Sequence, residues 1–385
     1  MAGLSAPISY TADSRRGLMR VDWQLLGASI ALLLFGLMSL YSVGQGPVGM
    51  SFFRKQLVFF VIGLAPFSLF AFVNPNSWRR GTAWLYAINI VLLVAVLVMG
   101  KHTRGAERWI PMPGGFQFQP SELAKIFIAL TLSSFYADRQ DRIQEVSTFL
   151  LGIAHVALPV FLLLLQPHLG AALVLLATWL AVSIVAGIPI KYVGAVFLAV
   201  AVVGASIFLV PAVRAKLPAY QLQRVEGIIT SHGSNKNVRG NGWQTDRAEI
   251  ALGAGGAIGS GFLHGEQKQA GFIPEQNSDF IVTVVGEEGG LIGCTLLLMT
   301  FGFFFYRIFV IMLFATEPYL RMAVAGVFAI LGFHTFINIA MVLQLFPVVG
   351  LWLPFMSYGG TALWLCMACV GLLLAIRRKE RPLLF

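Results

Sequence analysis

Charged side chains are scarce in this chain: 11% of its 385 residues are Asp, Glu, Lys or Arg, while 57% are hydrophobic. An ordinary soluble domain is roughly 25% charged, so the shortage excludes a water-soluble globule and leaves lipid as the natural solvent. Cysteine is also rare. Cys294, Cys366 and Cys369 all lie in apolar runs, which argues against a disulfide framework and reads them as small buried hydrophobes. Cys366 and Cys369 lack the further ligands of a metal site. No HExxH, Walker A, GxSxG or paired Cys/His spacing occurs, so hydrolytic zinc, nucleotide and serine-nucleophile chemistries have no motif to rest on. The glycines between Gly256 and Gly261 follow no predicted strand and make a poor phosphate loop. Neither an internal repeat nor a low-complexity tract is visible. The net charge is +10, yet the basic residues are scattered at helix ends with no aromatic-lined groove. This argues against nucleic acid and for anionic lipid head groups.

What is abundant is apolar sequence in long runs. Stretches able to cross about 30 Å of hydrocarbon fall at 24 to 43, 56 to 73, 82 to 100, 119 to 136, 148 to 166, 169 to 187, 192 to 210, 279 to 305, 321 to 345 and 353 to 376. The expected fold is an all-α polytopic membrane protein of about ten transmembrane helices. Residues 1–385 form one domain, with a polar leader at 1–22 that does not read as a removable signal peptide and a long loop at 211–278 between helices 7 and 8.

Lys and Arg in the short connections set the orientation. With a cytoplasmic N-terminus the inside set is Arg15, Arg16, Arg20, Arg79, Arg80, Arg139, Arg142, Lys191, Arg307, Arg321, Arg377, Arg378, Lys379 and Arg381. Only Arg54, Lys55, Lys101, Arg104 and Arg108 then lie in short outside loops. Both termini are expected inside, and segments 101–118 and 211–278 outside. The longer segment holds Tyr220, Trp243 and Phe262 among glycine clusters, which suggests short interfacial helices joined by tight turns.

Ionisable groups in the spans cost about 2.5–3.5 kcal/mol each at mid-membrane, so each needs a reason. Glu122 and Lys125, three apart, share a helix face; a self-contained ion pair and a cavity lining both remain open. His168 reads as a helix-end hydrogen bonder. Asp279 opens the eighth span, where Ser278 or Asp279 can serve as an ordinary helix cap. Glu287 and Glu288 lie two turns deeper beside Gly286, Gly289 and Gly290. They are protonated, bonded to backbone that the glycines free, or facing a wet cavity. Outward carboxylates together with Arg104, Arg108, Arg224 and Lys125 would suit a substrate bearing phosphate and hydroxyl groups.

Several motifs carry a resemblance over nearly the whole chain. They are Leu40-Tyr41-Ser42, Arg108-Trp109, Phe118-Gln119-Pro120-Ser121-Glu122-Leu123-Ala124-Lys125, Gln166-Pro167 with Leu169-Gly170, Pro274-Glu275 with Asp279-Phe280-Ile281, and Glu287-Glu288. The last block runs from Asn338-Ile339 through Pro347-Val348-Val349-Gly350 and Leu353-Pro354 to Ser357-Tyr358-Gly359-Gly360. Together they resemble the SEDS family, and the Pro-Val-Val-Gly form looks more like RodA, its elongation member, than FtsW, its division member.

The resemblance implies a peptidoglycan glycosyltransferase of the bacterial inner membrane. Such an enzyme joins lipid II units into β-1,4 glycan on the periplasmic face and releases undecaprenyl pyrophosphate. It implies that Asp279 is the essential aspartate, a general base or a holder of a divalent cation, Mg or Mn. An α-linked pyrophosphate giving a β bond is an inverting displacement that needs one base. Arg224 matches a family arginine suited to the leaving pyrophosphate. Glu122 and Lys125 match cavity residues, and Arg108, Glu287, Glu288 and Ser357 complete the expected substrate contacts. The implied partners are lipid II and nascent glycan, a class B penicillin-binding protein transpeptidase and other membrane proteins of the elongation complex.

Departures from the family pattern are His168 where Asp is usual, Arg247-Ala248 for Gln-Ser, Ser260 for Lys and Asn277 for His. The first removes a carboxylate that would pair with Lys125. Three alternatives stand beside the elongation polymerase. One is an FtsW-like septal polymerase. Another is a lipid II flippase, against which the absence of repeats and the outer-face polar residues argue. The third is a non-catalytic scaffold in which Asp279 only caps a helix.

Overall fold

The computed structural model describes residues 21–47, 49–99, 101–103, 106–112, 116–196, 198–199, 241–273 and 275–379. The helices are α1 (Trp23–Gly44), α2 (Ser51–Phe72), the short α3 (Pro75–Arg80), α4 (Thr82–Met99), α5 (Pro120–Ala137), α6 (Val146–Leu165) and α7 (Leu169–Ala186). After the loop come α8 (Asn241–Ala254), α9 (Glu266–Gln269), α10 (Val282–Phe314), α11 (Pro318–Val342) and α12 (Gly360–Lys379). By length and composition α1, α2, α6, α7, α10, α11 and α12 can each cross a membrane, and Thr82–Val98 is a shorter apolar helix. α5 sits where a span is expected, but Glu122 and Lys125 make it more polar. The expected span at 192 to 210 and the first part of the long loop fall mostly outside the described residues, as does the leader before Val21.

Lipid exposure explains the composition. Large apolar side chains such as Phe72 and Val98 are 75% and 80% exposed, a surface that water would not tolerate over so wide an area. Among the described residues the interior forms two apolar clusters, one centred on α1, α10, α11 and α12 with contributions from α2 and α5, and one centred on α4, α5, α6 and α7. α12 lies along α2, and a side chain at Gly371 would strike the Phe67 carbonyl of α2, so only glycine permits that approach. Asp22 starts α1 by accepting the Leu25 N–H at 2.9 Å and pairs with Arg307 of α10 at 2.7 Å.

The fold is mostly helical, as expected, and the segment after α4 adds a small antiparallel sheet of β1 (Lys101–Thr103), β2 (Ala106–Pro111) and β3 (Gln117–Phe118), in that order. Two span bounds need correction. The final helix begins at Gly360 rather than 353. Residues 353 to 359 are irregular, their backbone tied to side chains and to a neighbouring turn, which is the condition for non-helical chain at membrane depth. The eighth span, expected at 279 to 305, begins at Val282 and is broken at Gly290, whose φ of 60° and ψ of −155° are non-helical and open essentially to glycine alone.

The break is filled by the loop. Ser260 and Gly261 N–H groups donate to the Glu287 and Glu288 carbonyls at 2.9 and 3.1 Å, and Leu291 and Ile292 N–H groups donate to the Gly256 and Ala257 carbonyls at 2.9 and 3.2 Å. The glycine turn thus satisfies the end of one half-helix and the start of the next. A side chain at Gly255, Gly259 or Gly290 would overlap the facing backbone. α8 is tethered to the end of α11 by Gln344, which donates to the Thr245 carbonyl at 3.2 Å and to Glu249 at 2.8 Å.

Candidate functional site

Asp279 lies in the turn before α10, half-buried, its N–H bonded to the Glu275 carbonyl at 3.0 Å. The residue in the cap position of α10 is Ile281, whose own side chain makes no cap hydrogen bond, and Ser278 bonds back to Glu275. Asp279 Oδ2 faces Gly350, whose φ is 71° and where a Cβ would stand 3.5 Å from that oxygen. Two motifs some seventy positions apart in sequence meet here, with bare backbone beside the carboxylate.

The C-terminal motif holds this turn from three directions. The carbonyls of Asn277, Ser278 and Asp279 accept from Tyr358 N at 2.8 Å, Ser357 Oγ at 2.6 Å and Asn338 Nδ2 at 2.9 Å respectively. Asn338 Nδ2 also donates to the Leu351 carbonyl at 2.7 Å. Ser357 Oγ accepts the Leu353 N–H at 2.8 Å. Gln56 of α2 donates to the Ser357 carbonyl at 3.2 Å and accepts the Gly359 N–H at 3.1 Å.

Glu122 and Lys125 meet inside the bundle. Lys125 Nζ lies 2.7 Å from Glu122 Oε1 and 2.9 Å from His334 Nε2, and 5.2 Å from the centre of the Trp352 ring. His334 stacks on that ring with centroids 3.8 Å apart, and its Nδ1 lies 3.3 Å from the Trp352 carbonyl. A lysine ammonium can only donate, so Nε2 accepts and the imidazole proton belongs on Nδ1, aimed at that carbonyl. Glu122 Oε2 and Ser121 Oγ are buried with no partner among the described residues. The acidic partner of Lys125 is thus its own helix neighbour, and His168, in the cap position of α7, does not cap it with its side chain.

Glu287 and Glu288 form a second buried cluster, under the loop. Glu287 accepts the N–H groups of Gln267 and Lys268, at 2.6 and 3.2 Å, through separate oxygens. Glu288 pairs with Lys268 Nζ and accepts from Ser42 of α1, and Lys268 also donates to Ser42 Oγ at 2.6 Å. Among the departures, Ser260 bonds the Glu287 carbonyl through its hydroxyl at 3.0 Å, Ala248 is buried and Arg247 stacks over Phe272 at 4.9 Å.

Arg108, on β2, donates to the Gln166 carbonyl at 3.3 Å and to that of Pro167, joining the small sheet to the α6–α7 turn. Arg104 and Arg224 lie outside the described residues. No group of three or more His, Cys, Asp or Glu side chains converges among the described residues. An ion that keeps its waters and takes one or two carboxylates plus substrate phosphates, as Mg does, fits such a donor set.

Sequence reasoning passed over His334, Trp352, Lys268 and Gln56. His334 had a signal, since it is ionisable and lies in an apolar run. Lys268 had none, as a lone lysine in a polar loop is ordinary.

With this geometry in hand, comparison with known proteins is specific. The family model for FtsW, RodA and SpoVE, described as a cell cycle protein, matches residues 17–382. A probable peptidoglycan glycosyltransferase FtsW of Trichlorobacter lovleyi is 33% identical over 370 residues, covering 93% of each chain. The peptidoglycan glycosyltransferase MrdB of Escherichia coli K12 is 32% identical over 365 residues, covering 95% of each. A chain from a structure of a peptidoglycan synthase complex that coordinates polymerization and crosslinking superposes with a TM-score of 0.80 at 29% identity, over 93% of this chain and 98% of that one. The rod shape determining protein RodA of Thermus thermophilus gives 0.69 at 28% identity, over 94% and 97%.

Proposed function

The chain belongs to the FtsW/RodA/SpoVE family and is a multi-pass membrane enzyme, a peptidoglycan glycosyltransferase, and from that premise we propose that Asp279 is its general base. The observation that carries the reading is the half-buried carboxylate beside the bare backbone of Gly350, in a turn held by three hydrogen bonds to its carbonyls. A sugar hydroxyl is a poor nucleophile. Asp279 takes its proton as the oxygen attacks the anomeric carbon of lipid II, the bond from that carbon to the pyrophosphate oxygen breaks, and undecaprenyl pyrophosphate leaves. One displacement inverts the α-linked donor to a β-1,4 bond. The leaving pyrophosphate requires positive charge more than a proton; Arg224 is the first candidate for it, with Lys125 and Arg108 as further cations of the site. A divalent cation, if bound, would take Asp279 as its protein carboxylate and neutralise pyrophosphate.

The same reading assigns the enzyme to the bacterial cytoplasmic membrane, with both termini inside and Asp279 on the outer face, as the Lys and Arg distribution favours. Its proposed partner is a class B penicillin-binding protein transpeptidase, for which the similarity to a chain of a synthase complex is the support. Pro347-Val348-Val349-Gly350 favours elongation over division.

The test is polymerisation of labelled lipid II by the purified protein with its partner and Mg or Mn, comparing Asp279→Asn and Asp279→Ser with wild type. Loss of a general base lowers the rate by about 10²–10⁴-fold while both variants stay folded. Glycan formed at the wild-type rate by Asp279→Asn rejects the general base. Absence of polymer from wild type with its partner present favours transport or scaffolding.

A further inference from the structure

We propose that Asn338 and Ser357 are positioning residues for Asp279: they fix its backbone and do not touch the substrate. The inference rests on Asp279 being the general base.

Turns lack the repeating ladder that fixes a helix or strand, so the direction of each peptide must be set individually. Here the carbonyls of Asn277, Ser278 and Asp279 are each set by a different donor, Tyr358 N, Ser357 Oγ and Asn338 Nδ2. Those donors come from two elements, the irregular segment before α12 and the C-terminal end of α11. Three successive anchored peptides leave the Asp279 Cα little freedom, and the carboxylate inherits that precision.

Asn338 does more. Its two amide hydrogens go to Asp279 O and Leu351 O, one on each of the two segments that flank the site. The same NH₂ group therefore sets the spacing between Asp279 and Gly350, the neighbour of Leu351. Rotating the amide would turn Oδ1 onto two carbonyls, so the donor pair fixes its orientation. Asn338 is fully buried, and its Oδ1 has no partner among the described residues.

Ser357 has one hydroxyl hydrogen, and it is committed to the Ser278 carbonyl at 2.6 Å, while its oxygen receives the Leu353 N–H at 2.8 Å. A substrate acceptor could take that hydrogen only by breaking the bond to Ser278. Gln56 then locks the segment from α2 through the Ser357 carbonyl and the Gly359 N–H. Ser357 thus changes from an expected substrate contact to a support that works through the backbone of Asp279.

The test uses the full chain with its transpeptidase partner and labelled lipid II, on protein that is monodisperse and keeps its melting transition. In Ser357→Ala and Asn338→Ala, kcat is expected to fall about 10- to 100-fold, as for a reacting group misplaced by roughly 1 Å, with KM for lipid II within about twofold. Ser357→Thr keeps the hydroxyl and should keep kcat within about threefold. Added to Asp279→Asn, either alanine should cost little more, because the carboxylate they position is already gone. A loss carried in KM, or wild-type kcat in both alanine variants, overturns the proposal. If one alanine variant does not accumulate, the other decides by the same criteria. Should Asp279→Asn itself polymerise normally, the general-base reading fails first; should it be inactive while both alanine variants run at the wild-type rate, only the positioning role fails.

Discussion

Lys125 and Lys268 are both buried against a glutamate, yet their surroundings differ in what they leave undone. The side chains of Lys268 and Glu288 are 0% and 7% exposed, and the cluster around them uses Ser42 and both oxygens of Glu287. Lys125 and Glu122 are 1% and 2% exposed, but Glu122 Oε2 and Ser121 Oγ have no partner among the described residues. Around Lys268 the unpaired buried acceptor is the neutral Gln267 Oε1 and no carboxylate oxygen is buried without a partner among the described residues, whereas around Lys125 a carboxylate oxygen is, which is the costlier omission and needs an explanation. The first cluster holds the loop in the broken helix. The second is the better candidate for meeting substrate.

The largest effect that can break this contrast is on folding. Lys268→Ala strands Glu288 and should cost about 3–5 kcal/mol, seen as an early melting transition in detergent. Replacing both partners with apolar residues, Lys268→Met with Glu288→Leu, should recover most of the loss. A melting curve unchanged by Lys268→Ala would remove the structural role. Next in size is Glu122→Gln, which retains an oxygen for Lys125. It also leaves the Lys125 charge buried without its counter-charge, so stability should fall by up to about 3 kcal/mol. Polymerisation by the folded variant should fall about tenfold or more, as the loss of one charged hydrogen bond worth roughly 1.5–3 kcal/mol requires. A wild-type rate from folded Glu122→Gln would make this pair purely structural, like the one at Lys268.

The smallest effect belongs to a surface pair that serves as a control for both. Burial alone would raise the pKa of Glu317, but hydrogen bonds from Lys379 and Asn76, with the charges of Lys379 and Arg79, outweigh it and hold the carboxyl below its ordinary value. Its contribution is complete at pH above the ordinary glutamate value and is lost as pH falls through the lowered one. Acidification should therefore narrow the gap in melting temperature between wild type and Glu317→Gln, a gap of about 2 °C or less, without changing the ranking of the buried variants.

Much of the helical frame was legible because apolar runs report lipid directly. Where legibility failed, backbone conformation rather than hydropathy decided. Leu353 to Met356 reads as the start of a span because its side chains are apolar, yet Ser357, bonded to the Leu353 N–H and locked by Gln56, holds that stretch irregular. Gly289-Gly290 hinted at a break, but only the fit of Gly255 and Gly259 against it makes the break necessary. Asp279 could be singled out from the motifs around it. Its support could not, since Asn338 and Ser357 reach it through carbonyl bonds that no spacing encodes. Glu287 and Glu288 were recognised as needing a reason, and one of the readings left open, bonding to backbone, describes what Glu287 does; the backbone comes from α9 of the loop rather than from the adjoining glycines.

The broken helix also bears on how the chain enters its membrane. α10 has 33 residues, more than the about 20 that crossing requires, and its character changes at the break. Val282 to Glu288 are packed in protein, whereas Leu291, Ile292 and Met299 are 66%, 62% and 67% exposed. The stretch that insertion machinery must pass into lipid is therefore Leu291 to Phe314, which contains Arg307 near its far end and no acid. Glu287 and Glu288 can remain with the loop, where Lys268 is waiting, and neither needs to enter hydrocarbon alone. A chain without the glycine turn would still insert, but with two half-helix ends unsealed, and would meet the cell's quality-control proteases as a fully threaded yet unfinished protein.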